Sequence, residues 1–254
     1  MEYNLKKIVD QIYIINLDKD INRMKILDKK MKKLNLNYKR IAGIDGKKVY
    51  KKYNKNNLTT GELGCLLSHI YILEEAINNN YENILIFEDD VIFHKNFLNK
   101  FYKNYKYLIQ NEKKFDIIYL GASQKHNWNN VIIKKKYMIA NRLDGTFAMI
   151  INKNIFNKIL YQAKTLKYPI DSVLYYFIQN HSRAYCFLPY LVTVDINNIS
   201  NTTPNFKLKN YYYKENKINI ENFDYKIKKN NLKYIFLYIF IKIIIIRKYL
   251  NNIL

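Results

Sequence analysis

Cysteine is almost absent: the chain has two, Cys65 and Cys186. Two thiols make no disulfide framework, and their separation matches no metal-ligand spacing. Both stand among apolar residues, the setting of buried free thiols in a reducing compartment. Glycine (6) and proline (3) are scarce, as are alanine and arginine, while lysine, asparagine, isoleucine and tyrosine are inflated. That bias is the one expected of an A+T-rich genome. Acidic residues are few, 21 against 43 lysines and arginines, which leaves a net charge of +22. Such a charge asks for an anionic partner, whether nucleic acid, a membrane surface or a phosphorylated substrate. Genome bias accounts for much of it, however. Neither a zinc-ligand spacing nor an arginine-rich arm supports nucleic acid, so no nucleic-acid partner is expected. The first residues lack a charged segment leading into an apolar one, so no secretory signal is expected and the reading is cytoplasmic. No internal repeat is visible.

Hydrophobic residues make up 49% of the 254-residue chain, enough for a proper core. The stretch that organises the rest is Asn83-Ile84-Leu85-Ile86-Phe87-Glu88-Asp89-Asp90-Val91. Its continuous apolar run reads as a strand buried on both faces. Glu88, Asp89 and Asp90 cannot continue a buried strand, so they emerge at the rim of the sheet, where open α/β folds bind ligands. Alternation puts Glu88 and Asp90 on one side and Asp89 on the other. Two carboxylates about 7 Å apart suit a hard divalent cation, Mn²⁺ or Mg²⁺, that would in turn hold phosphates. An acidic turn is the competing reading.

Before this strand, residues 8–17 read as strand, and Ile21, Met24, Leu27, Met31 and Leu34 recur at helical spacing, with Asp18 or Asp20 as the cap. A short strand near residues 38–41 leads into the turn-rich 42–46. Residues 47–57 read as a basic loop. Thr59 and Glu62 have the spacing of a capping box opening a long helix that stops at Asn78-Asn79-Asn80. After the acids come a helix over 97–109, a buried strand over 115–120 and a polar loop through 130. Strand-like pieces follow at 131–133, 137–140 and 146–151. Helices over 154–163 and 170–180, then extended chain broken by Pro189, complete this part. Alternating strands and helices predict an α/β fold with a mostly parallel sheet and helices on both faces.

The tail, residues 205–254, differs. The apolar run from Tyr234 is broken at Lys242 and is shorter than the roughly 20 residues a bilayer span requires. Lys226, Lys228, Lys229 and Lys233 precede it, and Arg247 and Lys248 follow. Two readings are open: a helix attached to an anionic membrane surface, and a terminal helix docked on the core. The first makes the protein cytoplasmic and peripheral on the inner face of the plasma membrane, with a domain at 1–204 and an attachment segment at 205–254.

Four stretches form a pattern in order. They are Ile12-Tyr13-Ile14-Ile15-Asn16-Leu17-Asp18 with Arg23; Gly61-Glu62-Leu63-Gly64-Cys65-Leu66-Leu67-Ser68-His69; Ile86-Phe87-Glu88-Asp89-Asp90-Val91; and Asp116-Ile117-Ile118-Tyr119-Leu120-Gly121. Together they resemble glycosyltransferase family 25, the bacterial lipooligosaccharide galactosyltransferases and collagen galactosyltransferase domains. The resemblance covers residues 8 to 200, takes in Gly145-Thr146-Phe147-Ala148 and Pro169-Ile170-Asp171, and leaves out the tail. It implies a GT-A fold, a UDP-sugar donor such as UDP-galactose, inversion at the anomeric carbon, and a lipooligosaccharide or other lipid-linked glycan acceptor. Glu88-Asp89-Asp90 takes the place of that fold's acidic metal motif, with Glu88 where Asp is commoner. By this analogy Asp90 binds the metal most directly, and Glu88 reaches the ribose or a metal-bound water.

Inversion by single displacement needs a base for the acceptor hydroxyl. Asp171, at a helix start after Pro169, is the first candidate and Asp144 the second; a helix-capping acid and a turn residue are their plainer roles. Asn16, Asp18 and Arg23 sit where a nucleotide would meet the first strand, or serve as strand-end, cap and solvated helix residues. Glu62, Ser68 and His69 lie on the long helix, either contacting the donor or buttressing the acids, with a polar core histidine the alternative for His69. His126 and His181 belong to no motif. Glucose or an N-acetylhexosamine could replace galactose, and a non-catalytic polyanion-binding protein is the reading from another class.

Overall fold

The computed structural model describes residues 5–53, 56, 58–125, 132–141 and 143–195. His126, residue 131 and the tail at 205–254 lie outside the described residues. A seven-stranded sheet in the order β2-β1-β3-β9-β5-β10-β7 forms the centre. Its strands are β1 (Gln11–Asn16), β2 (Lys39–Ala42), β3 (Asn83–Glu88), β5 (Ile117–Tyr119), β7 (Tyr137–Ile139), β9 (Ala148–Asn152) and β10 (Ala184–Phe187). β1, β2, β3, β5 and β10 run one way, and β9 and β7 run against them. The sheet is therefore mixed but mostly parallel. β4 (Val91–Phe93) pairs with β11 (Val192–Val194), and β6 (Gln124–Lys125) with β8 (Leu143–Asp144).

Burial on both sides explains why the central strands are unbroken apolar runs. On one face Ile12, Ile14, Leu85, Phe87, Ile118 and Ile150 form a core with Leu27 and Met31 of α1 (Ile21–Lys33) and with Phe97, Phe101 and Leu108 of α4 (Phe97–Glu112). On the other, the Tyr13 hydroxyl donates to Glu75 of α3 (Thr60–Asn78) at 2.6 Å. The Tyr119 hydroxyl of the same face accepts from buried Gln179 at 3.0 Å. α5 (Phe156–Ala163) and α6 (Ile170–Val173) complete that layer beside α3. Helices thus cover both faces.

Three expectations need correction. Residues 46–53 are not loop but a helix, α2 (Gly46–Tyr53). Lysine is a good helix former, and the Asp45 carboxylate accepts from the Lys47 amide at 3.1 Å, capping a segment too poor in apolar residues to announce itself. Asp20 stands at the N-cap of α1, but its side chain makes no capping bond. The helix expected over 170–180 is regular only through α6; Leu174–Ile178 is a π turn and Gln179–His181 a 3₁₀ turn. The capping box at Thr59 is present as expected: Glu62 N–H donates to Thr59 Oγ1 at 3.2 Å, and Thr59 N–H to Glu62 Oε2 at 2.8 Å.

A single ion pair fastens the starts of β5 and β10. Arg183 donates to Asp116 from its amide (2.9 Å), Nε (3.0 Å) and Nη2 (2.5 Å). Burial by itself raises the Asp116 carboxyl, but the Arg183 contacts together outweigh it and hold the group below its ordinary value. A depressed carboxylate contributes stability that is present above its unfolded pKa and lost as pH falls through the folded one. Asp116→Ala is expected to cost about 2–3 kcal/mol in urea unfolding at pH 7, with the gap from wild type closing below about pH 4. A gap independent of pH would contradict this role.

Candidate functional site

The parallel strands β1 and β3 lie side by side, with Ile15 paired to Glu88, so their carboxyl ends open at one edge. There Asp89 and Asp90 form the turn between β3 and β4. The turn is fixed on both sides: Glu88 N–H donates to Phe147 O at 2.9 Å, and Asp195 N–H to Asp90 O at 2.8 Å.

The three acids have different fates. Asp89 points toward β1 and α1, where Asn16 Nδ2 donates to it at 2.7 Å and Arg23 Nη1 at 3.1 Å. Asn16 Oδ1 accepts in turn from Arg40 Nε at 2.9 Å, and Arg40 Nη2 reaches Asp18 at 2.5 Å. Glu88 faces the other way and accepts from Thr146 Oγ1 at 3.0 Å. Asp90 Oδ1 is buried with no hydrogen-bond partner. Burial pushes the Glu88 and Asp90 carboxyls up, and the neighbouring negative charges push further: Asp90 on Glu88, and Asp89 on Asp90.

The acids floor a cleft of about 340 Å³ whose rim carries Lys19, Arg23 and Lys47. Its far wall is the 43–46 segment lying on α3, and two glycines permit that contact. A Cβ on Gly46 would meet Thr60 O at 1.7 Å, and one on Gly64 would meet Ile44 O at 2.3 Å. Ser68 Oγ, which donates to Gly64 O at 2.7 Å and accepts from Ile44 N–H at 2.9 Å, pins the same segment.

Arg23, Ser68, Glu88, Asp89 and Asp90 therefore line one cleft. Asn16 is buried behind Asp89, and Asp18, exposed and paired with Arg40, does not line the cleft. Glu62 is held in the capping box. His69 is buried off the cleft wall, its Nδ1 at 2.9 Å from Cys65 O, and burial drops its pKa to about 4, so the ring is neutral. Cys65, expected among apolar neighbours, lines the cleft instead. Asp171 lies in the first turn of α6 and accepts from the Ser172 amide at 2.8 Å. Burial raises its carboxyl, the Ser172 amide works against that, and the charges of Asp144 and Glu62 add to the rise. Its charge reaches Glu88 and Cys65, so it neighbours the acid end of the cleft. Asp144, in β8, acts on Asp171. His181 is exposed.

Arg40 went unmarked in the sequence, and Thr146 was marked only as part of the resemblance, with no role of its own. Arginine's rarity in so lysine-rich a chain was the available signal: Arg23, Arg40 and Arg183, the arginines among the described residues, all bind carboxylates. A planar fork does this better than an ammonium.

Two inward carboxylates with raised pKa values, one oxygen of them unpartnered, form a donor set that fits a hard dication. Among the described residues no group of three His, Cys, Asp or Glu side chains is placed to hold a metal ion. Such an ion would accordingly draw further oxygen ligands from phosphate and water.

Residues 9–174 match the family described as glycosyltransferase family 25 (LPS biosynthesis protein). Among curated relatives, a cattle protein described as a probable inactive glycosyltransferase 25 family member 3 is 32% identical over 102 residues, covering 40% of this chain and 17% of its own. A glycosyltransferase 25 family member of Aedes aegypti is 25% identical over 195 residues, 68% of this chain and 32% of its own. Human procollagen galactosyltransferase 2 is 29% identical over 131 residues, 45% of this chain and 21% of its own. The chain thus spans no more than about a third of these relatives' length. A glycosyltransferase involved in glycosylation of the major capsid of PBCV-1 is a coarse structural neighbour. Its TM-score is 0.43 at 9% identity, over 69% of this chain and 79% of that one.

Removing Arg23 leaves Asp89 buried beside two other acids. Arg23→Ala is expected to destabilise by about 2–3 kcal/mol in urea unfolding, and adding Asp89→Asn to restore part of the loss. Equal stability of Arg23→Ala and wild type would contradict the pairing.

Proposed function

The chain belongs to glycosyltransferase family 25, and on that premise we propose that it moves a hexosyl group from a nucleotide sugar to a glycan hydroxyl. One observation carries the reading: Glu88, Asp89 and Asp90 meet Lys19, Arg23 and Lys47 on one cleft at the carboxyl ends of β1 and β3. Negative and positive groups in one cavity suit a diphosphate held through a dication, whereas a bare polyanion gains nothing from adjacent carboxylates. A GT-A fold accords with the mostly parallel sheet.

In this reading Asp90 and Glu88 hold the Mn²⁺ or Mg²⁺, and Asp89 keeps Arg23 and Asn16 in place behind them. Bound there, a dication supplies charge stabilisation for the departing diphosphate. Lys19 and Lys47 add to that field from the rim. The donor is UDP-galactose, in keeping with the galactosyltransferase among the relatives, and the acceptor a lipopolysaccharide-type glycan, in keeping with the family's description. Glucose and N-acetylhexosamine differ from galactose only at groups read by a few pocket contacts. The acceptor oxygen attacks the anomeric carbon opposite the diphosphate, the bond to phosphate oxygen breaks, and the acceptor's proton passes to Asp171. Asp144 raises the proton affinity of Asp171 by its charge and is the second candidate for the base. The basic, apolar segment 205–254 holds the protein to the inner face of the plasma membrane, a reading that rests on its sequence pattern alone.

A specific observation also favours a second reading. Several relatives are described as inactive, including the human family member 3, 39% identical over 72 residues. The chain would then keep the fold and cleft without transferring sugar.

Turnover of a panel of UDP-sugars with Mn²⁺, repeated with EDTA, tests the proposal. Metal-dependent release of UDP from UDP-galactose is expected, and Asp90→Asn should abolish it. Asp171→Asn should slow transfer by about 10²–10⁴-fold. Because Asp171 is raised and must be ionised to act, transfer should fall away as pH drops through a value above the ordinary carboxylate range of about 4. No turnover of any donor by folded protein supplied with lipopolysaccharide acceptors would favour the inactive reading.

A further inference from the structure

Glu88 is held from one side by the chain that enters β9. Its N–H donates to Phe147 O at 2.9 Å, continuing the ladder in which Phe87 stands opposite Ala148. One residue further back, Thr146 Oγ1 donates to Glu88 Oε1 at 3.0 Å. Strand pairing thus sets where this hydroxyl stands, and a β-branched side chain leaves it few rotamers. Gly145 fixes the other end of the segment. Its φ of +103° favours glycine, and a Cβ there would meet Ser123 Oγ at 2.5 Å. Ser123 N–H in turn donates to Asp144 O at 2.8 Å.

Thr146 is buried, 5% exposed, and stands outside the set of residues lining the cleft, whereas Glu88 lines it. The hydroxyl therefore turns Oε1 toward the wall, and the carboxylate meets the cleft through Oε2. A carboxylate placed this way coordinates an ion through one oxygen, because two-oxygen coordination needs both to face the ion. The number of oxygens a protein offers decides which dication it favours. Ca²⁺ takes roughly six to eight at about 2.3–2.6 Å, often two of them from one carboxylate. Mg²⁺ takes about six at about 2.0–2.1 Å and keeps several waters, and Mn²⁺ accepts a similar octahedral oxygen set. One oxygen each from Glu88 and Asp90, completed by phosphate and water, suits the smaller ions.

We propose that Thr146 is a positioning residue whose hydroxyl holds Glu88 to one-oxygen coordination and so sets a preference for Mn²⁺ or Mg²⁺ over Ca²⁺. The proposal rests on the dication reading above. It adds the group that selects the ion.

The test follows the electron paramagnetic resonance signal of Mn²⁺ bound to the full chain with UDP while Ca²⁺ is added as competitor. Thr146→Val replaces the hydroxyl by a methyl of similar volume, Thr146→Ala removes it with less bulk, and Thr146→Ser keeps it. In wild type, Ca²⁺ is expected to displace half of the Mn²⁺ only at about tenfold excess or more. In the valine and alanine variants about fivefold less Ca²⁺ should suffice, and the serine variant should match wild type. Melting temperatures accompany each protein, and the alanine variant decides if valine lowers its own. An unchanged Ca²⁺ requirement without the hydroxyl overturns the role of Thr146, as does a serine variant that behaves like valine. So does wild type that yields Mn²⁺ to equimolar Ca²⁺. Wild type that takes up no Mn²⁺ with UDP present overturns the dication reading itself, so the two failures are distinguishable.

Discussion

Three adjacent carboxylates at the end of a fully buried strand impose a cost that the surrounding structure must meet, since each buried ion forfeits several kcal/mol of hydration. Asp89 is compensated within the fold, by Asn16 from β1 and Arg23 from the first turn of α1. Glu88 is compensated in part, by Thr146. Asp90 keeps an oxygen with no partner at all. The structure thus leaves a deficit of positive charge at one point, and that point opens onto a cleft with lysines at its rim. An external cation and its ligands would complete the hydrogen-bonding and charge balance that the fold leaves open at Asp90.

Other elements fall into place around that constraint. β9 runs antiparallel between β3 and β5 and delivers Thr146 and Phe147 to the acid strand. β4 and β11 anchor the far side of the acidic turn. Gly46, Gly64 and Ser68 let the 43–46 segment lie against α3, which sets the width of the cleft. α6 brings Asp171 within electrostatic reach of Glu88.

Much of this was legible in the sequence where a local rule governed. The apolar runs of β1, β3 and β5 declared buried strands, and the Thr59–Glu62 spacing declared the start of α3. What escaped depended on partners distant in the chain. The reversed insertion of β9 between β3 and β5 leaves no trace in its five residues. α2 is held by Asp45 and by glycine contacts with α3 rather than by an apolar stripe. Ser68 was marked for the donor or the acids, yet its hydroxyl is engaged with Ile44 and Gly64. A hydroxyl's partner cannot be read from its neighbours in sequence.

The central claim is that Glu88 and Asp90 bind a dication that in turn binds a nucleoside diphosphate. Calorimetric titration of UDP into the full chain, with Mn²⁺ and then with EDTA, tests it most directly. The account predicts binding that weakens at least about tenfold without the ion, a difference of about 1.4 kcal/mol, and does so equally in Asp90→Asn with the ion present. UDP bound with the same affinity in EDTA, or not bound at all by folded protein in Mn²⁺, would contradict it.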